Sequence, residues 1–182
     1  ARQIFLLKGD RSVRAEEHEQ AEHFLVNGGE MGVLLRSLDW SQTSLGAIET
    51  WSGSLRAALS ILLASPCPMY LAWGEHLIQF YNNAYRPFLG AAKHPAAVGQ
   101  RASECFSDTW HSMGPLSEQV IVEGKTVVLE NQQLLLDRSG VEPECSFTFS
   151  YSPIPGQDGQ IDGVLVTVVE TPNRELNKQQ SY

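Results

Sequence analysis

His18 and His23 are the nearest this chain comes to a metal-ligand pair, and their spacing defeats it. They stand five residues apart, so a helix through them puts the two imidazoles on different faces, whereas a zinc pair needs both on one side. Cys67, Cys105 and Cys145 are odd in number and widely separated. That pattern fits buried thiols in a reducing compartment better than a disulfide frame, and it points to the cytoplasm. Serines, histidines and aspartates are present, but none sits in a nucleophile-elbow string. Acyl transfer or acid–base work needs a nucleophile, a base and an orienting group that converge, and the sequence places no such set. The segment reads as non-catalytic.

Binding chemistry has a clearer signature. From Cys145 to Ser152, Cys145, Phe147, Phe149 and Tyr151 alternate with Ser146, Thr148, Ser150 and Ser152. A period of two marks a strand with one face buried, so the three rings share a side. The turn Pro155-Gly156-Gln157-Asp158-Gly159 follows, and then an apolar run from Ile161 to Val169, which predicts an antiparallel hairpin. Its aromatic face covers either a close-packed core or a pocket.

The rest of the chain must position that hairpin. Its 182 residues suffice for one domain with extensions, and 42% of them are hydrophobic. The net charge of −8 argues against nucleic acid or an anionic membrane surface as the main partner. No apolar run approaches the roughly 20 residues of a membrane span, and Ile4 to Leu7 is too short for a signal-peptide core. Residues 11–26 predict a charged helix with little apolar surface, stopped at Asn27-Gly28-Gly29. Met31, Leu34, Leu35 and Leu38 give one face of a short helix. Asp39 to Gly46 reads as a loop, and Thr50 as the N-cap of a helix bearing Trp51, Leu55, Ala58, Leu59, Leu62 and Leu63. Met69–Trp73 and Leu77–Tyr81 read as strands around Gly74-Glu75-His76. Asn82-Asn83 caps a short helix to Leu89, and Ser107 or Asp108 opens a longer one containing Pro115. Thr126–Leu136 reads as a strand turning at Asp137-Arg138-Ser139-Gly140. Strands joined by hairpins, with helices between them, predict an α+β domain built on an antiparallel sheet.

With these residues in that order, the chain resembles a PAS sensor domain. The likeness is carried by Asp137-Arg138-Ser139-Gly140, Ser150-Tyr151-Ser152-Pro153-Ile154 and Gly159-Gln160-Ile161-Asp162-Gly163-Val164, and by Trp73-Gly74 with Leu77 through Tyr85. It is closer still to the N-terminal PAS modules of bacterial sensor histidine kinases. Those strings are Gly29-Glu30-Met31-Gly32, Asp39-Trp40-Ser41, Leu45-Gly46, Trp51, Ser54-Leu55-Arg56, Leu89-Gly90-Ala91 and Lys93-His94-Pro95-Ala96.

The resemblance implies a PAS fold, a five-stranded antiparallel sheet with short helices on one face enclosing a cavity. It implies a leader with a charged helix over 1–27, a helical extension packing on the core over 28–66, the PAS core over 67–172, and the start of an output helix over 173–182. It implies a homodimer and a kinase domain further along the same chain, although this segment holds no kinase motif. Gln133 and Leu135 on one strand, and Leu165 and Thr167 on the last, are implied to line the cavity beside Phe147, Phe149 and Tyr151. Glu170 and Thr171 are implied to tie the sheet to the outgoing helix. Arg86 and Lys93 fall near the mouth.

No cofactor is expected. Flavin-binding relatives carry their reactive cysteine in a Gly-Arg-Asn-Cys-Arg-Phe string, whereas this chain reads Gly99-Gln100-Arg101-Ala102-Ser103-Glu104-Cys105-Phe106, with Leu165 where a flavin-contacting glutamine would stand. His111 lies near the iron ligand of haem-binding relatives, without the surrounding motif. Two functions remain: an input domain sensing a small molecule, or a ligand-free module with a filled core that pairs two chains.

Overall fold

Every strand pairing in the sheet is antiparallel. A computed structural model describes residues 23–90, 92–134, 136 and 145–171. The strands are β1 (Met69–Trp73), β2 (Ile78–Tyr81), β3 (Val127–Leu134), β4 (Cys145–Pro155) and β5 (Ile161–Thr171). They form one sheet in the order β2-β1-β5-β4-β3. The helices are α1 (Gly29–Ser37), α2 (Gly53–Ala64), α3 (Arg86–Leu89), α4 (Ala102–Cys105) and α5 (Trp110–Glu123), with single 3-10 turns at His23–Gly28, Trp40–Gln42, Ile48–Thr50 and Asn83–Tyr85. Most of the expected charged helix, the turn after β3 and the outgoing helix lie outside the described residues.

The register divides the core into two layers. Tyr70 pairs with Tyr81 and Val166, and Val166 with Tyr151, so these four look to one side. That side meets the 83–106 segment, where Tyr70 packs on Tyr85 and Phe106, and Phe88 stands edge-on to Phe147 and Phe149. Leu71 pairs with Phe80 and Leu165, which look to the other side. There the extension covers the sheet: Trp40 stacks on Phe80 at 5.2 Å and Trp51 meets both edge-on. Each indole N–H finds a backbone carbonyl, Trp40 at Leu35 and Trp51 at Gly46, as buried tryptophans require. β1 is therefore buried on both faces, and Tyr70 through Trp73 reads as a continuous apolar run. Opposite Trp73, Gly163 leaves room for the ring; a Cβ there would run into it.

Several boundaries differ from the sequence expectation. Ser52, not Thr50, caps α2 by accepting from the Leu55 amide; the Thr50 hydroxyl donates instead to the Ala47 carbonyl, closing the preceding turn. α5 opens after Thr109 rather than at Ser107 or Asp108. The expected loop at 39–46 contains a 3-10 turn that buries Trp40. Cys67 is exposed rather than buried, because it lies between Pro66 and Pro68 in the linker from α2 to β1; Cys105 is half-buried. Among the described residues, no helix is long and apolar enough to cross a membrane.

Candidate functional site

Between the aromatic face of β4, the edge strand β3 and the segment from Tyr85 to Met113 lies a cavity of about 470 Å³. Tyr85, Phe88 and Leu89 form one wall, Phe106, Thr109 and Met113 a second, and Leu129, Gln132, Leu134, Phe149 and Tyr151 the sheet side, with Lys93 at the rim. The size and the mostly apolar lining with few polar tips match small-molecule sites.

The local sequence explains how each wall is held. Asn82 accepts from the Tyr85 amide with its side-chain oxygen, which starts the turn that aims Tyr85 inward. β4 alternation delivers Phe149 and Tyr151. On β3, a bulge between Leu129 and Gln132, with Asn131 in left-handed backbone (φ 55), resets the phase. Leu129 faces Phe149 and Gln132 faces Phe147, so both look into the cavity.

That bulge corrects one expectation. Strict alternation from Leu129 would turn Gln133 inward; the reset pairs it with Ser146 on the outer face, where it is exposed. Leu165 and Thr167 are also displaced. They pair with Ser152 and Ser150, so they share the outer face, and Val164, Val166 and Val168 take the inner positions of β5. The expected positions are one residue out of phase with the structure, and a one-residue slip exchanges faces along a whole strand. Phe149 and Tyr151 line the cavity, while Phe147 is buried beside it against Phe88. Leu135 lies outside the described residues. Glu170 and Thr171 stand at the end of β5, paired with Phe147 and Ser146, and the Thr171 and Thr148 hydroxyls are 3.4 Å apart.

The sequence reading did not reach Tyr85, Phe88, Thr109 or Met113. Their signal was present, since Tyr85 and Phe88 stand three apart, as do Trp110 and Met113, but helical spacing does not say which side faces the sheet.

Electrostatics give the cavity its character. Burial pushes the Tyr85 phenol far above its usual 10, and burial raises Tyr151 as well. Both therefore remain neutral O–H groups. Neither hydroxyl has a hydrogen-bond partner among the described residues, and both belong to cavity-lining side chains. The Lys93 ammonium lies 4.4 Å from the Phe106 ring centroid. Arg86 turns away from the mouth and pairs with Glu30 of α1 at 3.0 Å.

A second, larger groove of about 680 Å³ runs outside, between α5, the turn after β1 and the start of β5. His111, Glu75 and Glu118 on its walls are exposed, and among the described residues no buried polar atom without a partner borders it. Among the described residues, no group of three or more His, Cys, Asp or Glu is placed to hold a metal.

No family model matches the sequence, and no curated protein does. Solved structures do match. The PAS domain of BvgS from Bordetella pertussis aligns over 69% of this chain and 93% of its own, at 16% identity and a TM-score of 0.53. A sensory box sensor histidine kinase from Vibrio cholerae aligns over 64% of this chain and 92% of its own, at 17% identity and a TM-score of 0.45. A C-terminal domain from Streptococcus mutans covers 67% of this chain and 88% of its own, at 21% identity and a TM-score of 0.48. The five antiparallel strands, the short helices on one face and the likeness to the BvgS domain together establish that this chain has the PAS fold.

Proposed function

We propose that this chain is a sensory input domain that holds a small molecule in the cavity beneath β4 and relays its presence to an effector, a histidine kinase domain in the same protein. The observation that carries this reading is the 470 Å³ space bordered by two buried tyrosines whose hydroxyls have no partner among the described residues. A close-packed core leaves no such volume. Relay would run through Glu170 and Thr171, because β5 lies at the centre of the sheet and ends there.

Leu129→Trp tests the reading, because its ring would fill the space. A ligand at about 100 times its dissociation constant adds roughly 2.7 kcal/mol to stability. A low-mass cell extract that contains the ligand should raise the unfolding midpoint of the wild type by several degrees and leave Leu129→Trp unmoved. Equal response of the two proteins would overturn the proposal.

A pairing role has its own observation. Val33 and Ile61 in the helical extension, and Val26 just before it, are each about 60% exposed, apolar side chains suited to contact with a second copy of the chain. Sedimentation equilibrium reporting a dimer that Val33→Glu dissociates is the expected result; a monomer at high concentration removes this role.

A further inference from the structure

We infer that the cavity selects an anion: a small molecule with an aromatic or apolar body whose carboxylate, sulfonate or phosphate is received by Lys93. The inference rests on the reading of the cavity as a ligand site and names the class of ligand it takes.

The lining argues for it. Among the described residues, twelve border the space and Lys93 is the one formal charge; no described Asp or Glu takes part. This is unusual for a chain carrying a net charge of −8. Lys93 is half-buried and makes no ion pair with a described residue. Its ammonium rests instead over the face of Phe106, itself a lining residue, so the charge sits on the wall rather than in open water. The backbone fixes its origin: the Lys93 amide donates to the Gly90 carbonyl and its own carbonyl accepts from the Ala97 amide.

The remaining polar groups agree in sign. Tyr85, Tyr151 and Thr109 each offer an O–H, and Gln132 an amide. Part of that capacity is committed, since the Gln132 side-chain nitrogen donates to the Glu130 carbonyl and the Thr109 hydroxyl lies near the Phe106 carbonyl and the Met113 sulfur. The two phenols have no hydrogen-bond partner among the described residues. A cation and two phenol donors facing a space walled by Phe88, Phe106 and Phe149 suit a ring that carries an anionic group. A cationic ligand would meet Lys93 with no carboxylate among the described lining residues to offset it.

Two fluorescent probes of nearly the same shape separate charge from shape: 1-anilinonaphthalene-8-sulfonate and its uncharged relative N-phenyl-1-naphthylamine. Wild type should bind the sulfonate about tenfold more tightly than the neutral amine, the scale of one charge-assisted hydrogen bond. Lys93→Arg should retain that preference. Lys93→Met should abolish it while leaving the neutral probe within about twofold of its wild-type affinity. An unchanged preference in Lys93→Met overturns the anion inference and leaves the cavity standing. Binding of both probes that persists in Leu129→Trp, or no binding of either to wild type, overturns the cavity reading itself.

Discussion

The Asn82 side-chain nitrogen lies 2.7 Å from the Cys67 carbonyl oxygen, and this contact fastens the helical extension to the sheet. The same nitrogen also faces the Leu62 and Ser65 carbonyls at 3.1 and 3.2 Å, while the side-chain oxygen accepts from the amides of Met69 and Tyr85. One buried amide thus joins the end of α2, the linker, β1 and the turn that aims Tyr85 at the cavity. Asn82→Ala leaves several of those groups unpaired in the core, and the expected loss is about 2–4 kcal/mol by urea denaturation. A loss below about 1 kcal/mol would show that water replaces the amide.

A further link between extension and core is an exposed ion pair, Glu30 with Arg86. Solvent screening leaves such a pair about 0–1 kcal/mol. Arg86→Ala should therefore cost far less than Asn82→Ala, and what it costs should shrink in high salt. A larger, salt-insensitive loss would mean that the arginine stem is packing rather than pairing.

Phe147 and Phe149 stand two apart on one strand but differ in their surroundings. Phe147 is 1% exposed and packed against Phe88, whereas Phe149 also borders the cavity. Phe147→Ala should cost about 3–5 kcal/mol, as full core truncations do. Phe149→Ala should cost less by about 1 kcal/mol or more, because part of its surface already lacks a packing partner. Equal losses would indicate a filled core at both positions.

Asn131 carries the bulge that turns Gln132 inward. Left-handed backbone suits asparagine or glycine and strains a β-branched residue by about 1–2 kcal/mol. Asn131→Gly should be nearly neutral in thermal unfolding and Asn131→Val destabilising. The reverse order would mean that the bulge is not required.

His94 predicts a pH dependence. Burial lowers its pKa from the usual 6.5, Arg86 lowers it further and Glu30 opposes them, while Tyr81, whose phenol is pushed up to about 12, lies 3.0 Å from its Nδ1. The folded protein thus disfavours the imidazolium that the unfolded chain accepts. The stability this gives is present above the unfolded pKa and is lost as pH falls through 6.5 toward the folded value. Between pH 7 and 5.5 the unfolding midpoint should drop, and His94→Gln should flatten the drop; a midpoint that rises on acidification contradicts the assignment.

Much of this was legible in the residues. The alternation from Cys145 to Ser152 marked β4 and its inward rings, because a strand with one wet face writes its burial in period two. β5 did not: both of its faces carry apolar residues, one toward the cavity side and one toward the extension, so Leu165 and Val166 cannot be assigned faces from the pattern. β3 hid its phase for another reason, since Asn131 is an unremarkable residue in the sequence and only the backbone reveals the bulge. Trp40 and Trp51 read as a loop and a helix start, and their burial follows from Phe80, some thirty to forty positions away. Lys93 was visible as a charge near the mouth, but its perch over Phe106 depends on contacts that no local pattern encodes.

Native mass spectrometry of the protein purified without denaturation is the most direct check on the cavity. The account predicts a folded mass that exceeds the chain mass by that of one small molecule, lost on denaturation and absent from Leu129→Trp. A folded species at the bare chain mass, unchanged after exposure to low-mass cell extract, would contradict it.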